Sequence, residues 1–431
     1  MSYIYTCMYD RAILHMDLDS FFVSVEVLRN SALKGLPLLI GGSGDRGVVA
    51  SCSYEARKYG VHSAMPMKMA RRLCPDAVIL RGDMDAYSEY SRQVTELIAE
   101  DAPCMEKASI DEFYLDLSGM DRYFGCYQWS LDLRKRIIKE IGLPISLALS
   151  VNKTVSKIGT NEAKPNGTKE VVKGTEKDFL APLSTAKMPG IGEATYKKLS
   201  FMGVRTLKVL SEIPPRLLER EFGKWGKVMW ERANAFDPTP VTPYSEAKSI
   251  SHEQTFGQDT LDLRKIRNIM LAMVDKLGFD LRQSQKLCSI VTVKIRYADF
   301  NTYTRQIRIA YTANDKILLR HVYDLFDKLY ERRQMIRLIG VKFSGLVHGH
   351  YQINLFDDTE QDMNLLNELD HIRKRWGAQA IGKAVTLDQP KEADNRVMPD
   401  KRDDKRKMLG SKPIDPKSEM ERWARMTRRW H

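Results

Sequence analysis

The 431-residue sequence has few cysteines and no long apolar run. Its six cysteines form no CxxC pair and have no histidines at zinc-ligand spacing, which excludes a disulfide scaffold and a zinc site. We therefore expect reduced thiols in a cytoplasmic protein. No stretch approaches the roughly 18 apolar residues of a membrane helix. The first residues also lack a basic region followed by an apolar run, so neither a membrane role nor a secretory signal is expected.

Several common catalytic motifs are also missing. The sequence contains no HExxH, no GxxxxGK followed by Ser or Thr, and no GxSxG. These absences exclude the zinc, P-loop and nucleophile-elbow sites that such motifs would indicate. No internal repeat of fixed period stands out.

The sequence does carry an excess of positive charge. Its 68 Lys and Arg residues against 56 Asp and Glu give a formal net charge of +12. Residues 391–431 alone hold 13 basic and 8 acidic side chains. An excess of this size suggests a polyanionic partner, either nucleic acid or an anionic membrane surface. The hydrophobic fraction of 43% is ordinary for a folded protein, and the length predicts several domains.

Hydrophobic periodicity divides the chain into folded blocks. The first predicts an α/β core, with strands 12–19, 109–118 and 143–151 and helices 84–101 and 129–141. From about 178 to 245 the pattern predicts short helices broken by Pro and Gly. A βαββαβ block follows, with strand 249–256, helix 261–283, strands 287–297 and 302–309, helix 314–331 and strand 336–345. Beyond it we expect a short motif, a helix near 361–384 and a disordered, charged tail.

The stretch AILHMDLDSFF, residues 12–22, places two carboxylates at the end of an apolar strand. With a period of two, His15, Asp17 and Asp19 share one face. Asp19 or Ser20 is placed to cap the first turn of the helix that follows. Asp17 is then either a solvated strand end or a ligand.

A second acidic pair, Asp111 and Glu112, lies in the strand-like SIDEFYLDLS. Adjacent residues on a regular strand point to opposite faces, so both serve one site only if the strand bends there. Three carboxylates from distant parts of the chain are what a phosphoryl-transfer site with two Mg²⁺ ions requires. The spacing of these carboxylates alone also allows the alternative that they are solvated residues at strand ends rather than metal ligands.

Five motifs in order carry a family resemblance. LHMDLDSFF, YEARKYGV, SIDEFYLD, SVNKTVSKIGTNEAKPNG and MPGIG together resemble a Y-family DNA polymerase, closest to the bacterial DNA polymerase IV branch. The resemblance covers about residues 11–345. It implies an α+β multi-domain right hand with palm, fingers, thumb and a βαββαβ little-finger domain, plus a disordered basic C-terminal tail. The implied domains are palm 1–23 and 88–178, fingers 24–87, thumb 179–245, little finger 246–345, and 346–431 for a clamp-binding motif and the tail.

The resemblance also implies the residues of an active site. Asp17, Asp111 and Glu112 would be catalytic and would bind two Mg²⁺ ions, with the backbone carbonyl of Leu18 as an added ligand and Mn²⁺ able to substitute. Phe22 matches the steric gate that excludes the 2′-hydroxyl of a ribonucleotide. Without the resemblance, Phe22 would be read as core packing and the YEARK charges as a solvated helix face. The other implied nucleotide contacts are Phe21, Ser51, Tyr54, Arg57 and Lys164.

Two segments are candidate DNA contacts. MPGIGEATYKKL resembles a helix-hairpin-helix, in which Gly190 and Gly192 would let backbone N–H groups approach a phosphate. In SIVTVKIRY, apolar residues alternate with Thr292, Lys294 and Arg296, which predicts one buried and one basic face of a strand. On the next strand, Arg305 and Arg308 point to opposite faces, so only one joins the basic face. A solvated basic row is the alternative.

Just after the βαββαβ block, YQINLFDD contains a QxxLF pattern, formed by Gln352, Leu355 and Phe356. It resembles the peptide that bacterial polymerases insert into the sliding clamp. Here some 70 residues follow the motif, whereas in much of the family it lies at the C-terminus. The motif would therefore have to work as an internal peptide.

The resemblance implies an error-prone, template-directed translesion DNA polymerase without proofreading. Its partners would be primer-template DNA, a dNTP and the sliding clamp. One alternative is a restricted nucleotidyl transferase that adds mainly one nucleotide. Another, from a different class, is a non-catalytic DNA- and clamp-binding protein. The presence of Asp17, Asp111 and Glu112 argues against the non-catalytic alternative.

Overall fold

The computed structural model describes residues 10–42, 44, 46–120, 125–331, 334–349, 359–377 and 380–384. The chain divides into two compact units, residues 1–248 and 249–431. The predicted clamp motif, Gln352, Leu355 and Phe356, and the predicted tail beyond 384 lie outside the described residues. None of the helices in the described ranges is long and apolar enough to cross a membrane.

The first unit alternates strands and helices before it becomes purely helical. Its elements are β1 Ile13–Leu18, α1 Phe21–Arg29, β2 Leu38–Gly41, β3 Val49–Cys52, α2 Tyr54–Arg57, α3 Met67–Leu73, β4 Val78–Leu80, α4 Met84–Asp101, β5 Met105–Lys107, β6 Glu112–Asp116, α5 Cys126–Ile141, β7 Ile145–Ser150, α6 Lys153–Ala163, β8 Thr168–Glu170, α7 Glu176–Leu180, α8 Glu193–Phe201, α9 Leu207–Glu212, α10 Pro215–Phe222 and α11 Lys224–Ala233. The predicted helix 84–101 is confirmed at both ends.

A five-stranded sheet, in the order β5-β6-β1-β7-β8, holds β1 at its centre. All six residues of β1 are buried, because both neighbouring strands and helices on both faces cover it. Leu14, Met16 and Leu18 pack into the core formed with α4 and α5. The alternate residues, among them His15 and Asp17, face the side on which α6 lies. A strand in this position brings any polar residue at its end into the interior of the fold.

Two smaller cores complete the first unit. The three-stranded sheet β3-β2-β4 packs with α2 and α3 around residues such as Leu39, Val49 and Met67. Helices α7 to α11 pack with α6 around another core, which includes Val155, Leu199 and Met229. The predicted run of short helices between about 178 and 245 is confirmed.

The second unit has the βαββαβ order that the sequence predicts. Its elements are β9 Ser249–Thr260, α12 Leu263–Gln283, β10 Lys286–Tyr297, β11 Thr302–Thr312, α13 Asp315–Leu329, β12 Ile336–Ser344, β13 Val347–His348 and α14 Thr359–Trp376. The main sheet has the order β11-β10-β12-β9. Val291, Val293 and Ile295 are fully buried against α12 and α13, which confirms the alternation predicted for β10.

Buried ion pairs hold α14 against the rest of the second unit. The guanidinium of Arg282 in α12 lies 2.7 Å from Asp315 Oδ1 and 2.6 Å from Asp370 Oδ2 in α14. Arg373 reaches Asp275 at 2.6 Å. The predicted helix 361–384 is present, but its predicted end is wrong, because α14 stops at Trp376 and Gly377 follows with φ +98°. Such a positive φ ends a helix readily only at glycine.

Candidate active site

Eight of the ten predicted catalytic and nucleotide-binding residues line one cavity of the first unit. Its volume is about 140 Å³. The lining residues are Asp17, Leu18, Ser20, Phe21, Phe22, Ala50, Ser51, Arg57, Ser63, Asp111 and Lys164. Of the ten residues predicted here, only Glu112 and Tyr54 are not in the lining. A larger opening of about 370 Å³ in the second unit contains none of them.

Two strands and a bend bring the three carboxylates together. Asp17 lies directly opposite Glu112 in the antiparallel pairing of β1 with β6. Asp111 precedes the regular part of β6 in a bend, where its carbonyl accepts a hydrogen bond of 3.0 Å from the Leu18 N–H. The bend meets the condition under which adjacent carboxylates can serve one site.

Two lysines face these carboxylates. Lys164 Nζ lies 2.5 Å from Asp17 Oδ1, and Lys157 Nζ lies 2.6 Å from Glu112 Oε2. Burial raises the pKa of Asp17, the Lys164 ammonium opposes that rise, and the charges of Asp111 and Glu112 add to it. The carboxylates therefore repel one another in a poorly solvated place, and positive charge must accompany them.

The donor set suits a divalent cation, although it is not a ready-made metal cluster. Within the described residues, no three His, Cys, Asp or Glu side chains form a group that could hold a metal ion. Carboxylate and carbonyl oxygens are nevertheless the hard ligands that Mg²⁺ and Mn²⁺ take in proteins. The Ser20 hydroxyl also lines this cavity, and its oxygen is buried with no hydrogen-bond partner in the described structure. The chemistry of these residues fits the divalent metal ions that the resemblance implies.

Asp19 does not cap the helix, and that prediction was wrong. Residue Ser20 precedes α1 with φ 42° and makes no capping hydrogen bond either. The Asp19 carboxylate is buried and accepts hydrogen bonds from Tyr54 Oη at 3.1 Å, Ser146 Oγ at 2.7 Å and the Asn166 N–H at 2.7 Å. These three donors come from distant segments, and the Asp19 carboxylate accepts from them instead of from the N–H groups of the first turn of α1. Asp19 therefore joins α2, β7 and the turn after Lys164.

The two phenylalanines differ in their surroundings. Phe21 is 3% exposed and belongs to the core, whereas Phe22 is only partly buried. The ring of Phe22 stacks on Tyr87 of α4, with centroids 4.3 Å apart and an interplanar angle of 13°. Tyr87 is fully buried and donates a hydrogen bond of 2.7 Å to Glu26. Tyr87 thus holds the Phe22 ring at the edge of the cavity.

The small sheet and its helix α2 contribute further polar residues to the cavity, namely Ser51 and Arg57. Ser51 lies on β3 and is 8% exposed. Helix α2 begins after Ser53, whose side chain accepts a hydrogen bond from the Ala56 N–H. The Arg57 guanidinium lies over the Tyr54 ring, 4.7 Å from its centroid. With Tyr54 held by Asp19, this stacking fixes the direction of Arg57.

Sequence reasoning missed Lys157 and Tyr87. Both depend on tertiary neighbours, since Lys157 lies on a helix that crosses β1 and Tyr87 follows Phe22 by 65 positions. Lys157 lies within the quoted motif SVNKTVSKIGTNEAKPNG, seven residues before Lys164, which immediately follows the last residue of α6. That spacing was the available signal.

The candidate DNA contacts lie in both units. In the first, Gly190 adopts φ +91°, and a Cβ there would approach the Trp225 ring to 2.4 Å, so only glycine fits this hairpin. Gly192 immediately precedes α8. In the second, Thr292, Lys294 and Arg296 are partly exposed on β10.

The same face of the second unit's sheet includes Arg308 but not Arg305. Arg308 pairs with Ile290 in the β10–β11 register, which places it with the even-numbered residues of β10. Arg305 instead donates a hydrogen bond of 2.7 Å to the Lys328 carbonyl, on the helical side. One arginine of the two joins the basic face, as predicted.

Comparisons with known proteins give the family. Residues 16–161 match the impB/mucB/samB family, and residues 247–355 match the C-terminal domain of the same family. A DNA polymerase IV from Dehalococcoides mccartyi (strain CBDB1) is 36% identical over 375 residues, which cover 86% of this chain and 96% of the relative. A DNA polymerase IV from Desulfatibacillum aliphaticivorans is 34% identical over 387 residues, 88% of this chain and 98% of the relative.

Solved structures share the fold. A Y-family DNA polymerase chimera is 24% identical and superposes with a TM-score of 0.70, covering 78% of this chain and all of that one. DinB from Sulfolobus solfataricus is 25% identical with a TM-score of 0.55 and the same coverage. The α+β fold of Y-family polymerases that the resemblance implies is confirmed. The chain belongs to the Y-family of DNA polymerases, in its DNA polymerase IV branch.

Proposed function

We propose that this protein is a template-directed, error-prone translesion DNA polymerase that transfers dNMP from a dNTP to a primer 3′-hydroxyl without proofreading. One observation carries the proposal. A single cavity joins two carboxylates, Asp17 and Asp111, to the cations Arg57 and Lys164 and to the ring of Phe22. Carboxylates for metal ions, cations for a triphosphate and a bulky ring beside the sugar are the parts that nucleotidyl transfer requires.

The family depends on divalent metal ions, and we propose two Mg²⁺ ions, with Mn²⁺ able to replace them. Asp17, Asp111, Glu112 and the Leu18 carbonyl would hold them. Two such ions, when bound, stabilise negative charge on the attacking and leaving oxygens of an in-line displacement. With cations beside Asp17, Lys164 is free to turn toward an anionic ligand. Lys157 remains on one oxygen of Glu112 and keeps its other oxygen in a defined direction.

The triphosphate would be held by Arg57 and Lys164, which both line the cavity. Their charges bind the phosphate oxygens and hold the α-phosphate in line with the primer terminus. Ser51 lines the same cavity and would add a hydroxyl group, whereas Tyr54 lies outside the lining and would act by holding Arg57 in place. The ring of Phe22, fixed by Tyr87, would collide with a 2′-hydroxyl and exclude ribonucleotides.

The large sheet and its helices would form the palm, within residues 1–23 and 88–178, and the small sheet the fingers, 24–87. The helices of 179–245 would be the thumb and the second unit's βαββαβ part, 246–345, the little finger. The hairpin at Gly190 and Gly192 would contact a phosphate through its backbone. The basic face of the little finger would follow the DNA backbone without reading bases.

The QxxLF motif at Gln352, Leu355 and Phe356 supports a further proposal, that the sliding clamp is a partner. The clamp would bind the motif as an internal peptide between the little finger and α14. A clamp pull-down with Leu355→Ala, Phe356→Ala beside the parent tests this, and equal recovery of both proteins would contradict it.

The experiment that tests the proposed activity is single-nucleotide incorporation on four primer-templates that differ only in the first template base. A polymerase adds the complementary nucleotide preferentially on each. A restricted transferase adds one nucleotide whatever the template base. A DNA-binding protein without catalysis shifts the mobility of each duplex and extends none.

A further inference from the structure

The open face of the second unit's sheet carries an acidic side chain, that of Glu253, among its basic ones. Directly opposed residues of antiparallel strands share a face, and the registers place Lys294, Arg296, Arg308 and Lys342 together. Among residues 249–255 of β9 and their directly opposed partners on β12, β10 and β11, Glu253 is the one carboxylate on this face. It lies on the surface that we propose follows the DNA backbone.

Glu253 reaches a base two strands away. Gly340 of β12 pairs with Lys294 on one side and with Glu253 on the other. The Glu253 carboxylate and the Lys294 ammonium form an ion pair across this gap. A Cβ placed on Gly340 would lie 2.8 Å from Glu253 Cγ and 3.3 Å from its Cδ. The missing side chain of Gly340 is therefore what lets Glu253 lie flat across the sheet.

The ion pair contributes little to folding. Its side chains are 33% and 39% exposed, and pairs at that exposure are solvated and screened by salt. Its effect on an approaching polyanion is larger, because the carboxylate both occupies Lys294 and repels phosphate. A solvated ion pair can form between side chains of neighbouring strands, and there it needs no glycine between its partners. This pair instead crosses the intervening strand β12 at Gly340.

We propose that Glu253, lying over Gly340, attenuates duplex binding by competing with the DNA backbone for Lys294. The inference rests on the proposed function, since it assigns DNA to this face. It predicts that the protein releases primer-template more readily than its basic face alone would allow. Gly340 is needed for this competition, because a side chain on β12 at this position would block the contact of Glu253 with Lys294.

The test measures the affinity of the full chain for a fluorescently labelled primer-template duplex by anisotropy, without nucleotide, from 50 to 300 mM salt. Glu253→Gln should bind about three-fold more tightly at low salt, and log K should fall more steeply with log[salt] by about 0.9, as for one added phosphate contact. Gly340→Ala should act in the same direction, because the three atoms nearest its new Cβ all belong to Glu253. Asp324→Asn, an equal change of charge on α13 of the same unit, is the matched control.

The outcomes separate this inference from the proposed function. If Lys294→Met weakens binding but Glu253→Gln and Gly340→Ala match the parent, the attenuation is overturned and the DNA face stands. If Lys294→Met also matches the parent, the assignment of DNA to this face is overturned with it. If Asp324→Asn tightens binding as much as Glu253→Gln, net charge explains the result and the inference fails. Thermal unfolding midpoints equal to the parent's confirm that each variant is folded.

Discussion

Replacing Tyr87 by leucine removes the ring on which Phe22 stacks, yet keeps an apolar side chain at a fully buried position. The Phe22 ring can then reach orientations in which it no longer blocks the place of a 2′-hydroxyl. Tyr87→Leu should therefore raise the use of ribonucleotides, although residue 87 does not line the cavity. Tyr87→Phe keeps the ring and loses only the hydrogen bond to Glu26, so its selectivity should stay close to the parent's.

The size of the effect follows from the stacking geometry. A stacked aromatic pair contributes about 0.5–1.5 kcal/mol beyond the area that it buries. If that energy restrains Phe22, its loss changes the discrimination between dNTP and rNTP by about two- to thirteen-fold. Phe22→Ala, which removes the gate itself, should exceed this value.

The assay is the ratio of kcat/KM for a dNTP to that for the matching rNTP in single-nucleotide incorporation. Because both values come from the same preparation, a lower folded fraction cancels in the ratio. An unchanged ratio for Tyr87→Leu, in an enzyme whose ratio falls with Phe22→Ala, would refute the claim that Tyr87 holds the gate. A fall for Tyr87→Phe equal to that for Tyr87→Leu would assign the effect to the hydroxyl group instead.

Two further predictions concern ion pairs. Lys157→Met should lower kcat for incorporation about ten-fold or more, because Glu112 loses its partner, while KM for the dNTP should change little. Lys157→Arg should restore most of the lost rate. Equal rates in Lys157→Met and the parent would show that the pair has no role. Arg282→Met leaves Asp315 and Asp370 buried without their shared partner, so urea denaturation should show a loss of about 3–5 kcal/mol in the unfolding of the second unit. Arg267→Met, which breaks an exposed pair in the same unit, is the control and should cost under about 1 kcal/mol.

Long elements with a clear period were predictable from the sequence. Helix α4 and the βαββαβ order were correctly predicted, because amphipathic periods over ten or more residues leave few alternatives. The three-residue strands β4, β5 and β8 were not predicted. They are shorter than any periodic signal and form because neighbouring strands offer them partners.

The candidate site was predictable where a motif carried it and not where tertiary contacts did. Seven of the eight predicted residues in the cavity lie in the motifs that carry the resemblance, and the eighth, Ser51, lies three positions before YEARKYGV. Asp19 was misassigned because the local signal for a cap, an acid before a helix, is the same whether its partners are near or far. Its three donors come from segments at least 35 positions away, which no local pattern reveals.

We propose that nucleotidyl transfer depends on the carboxylates at the end of β1 and the start of β6. The most direct test of this proposal is extension of a labelled primer with Mg²⁺ and all four dNTPs by the parent, by Asp111→Ala, Glu112→Ala together, and by Asp116→Ala. Asp116 lies at the far end of the same strand, where its side chain accepts a hydrogen bond from the Ser118 N–H. The parent and Asp116→Ala should extend the primer, and the double variant should not. Extension by the double variant at the parent's rate would contradict the proposal.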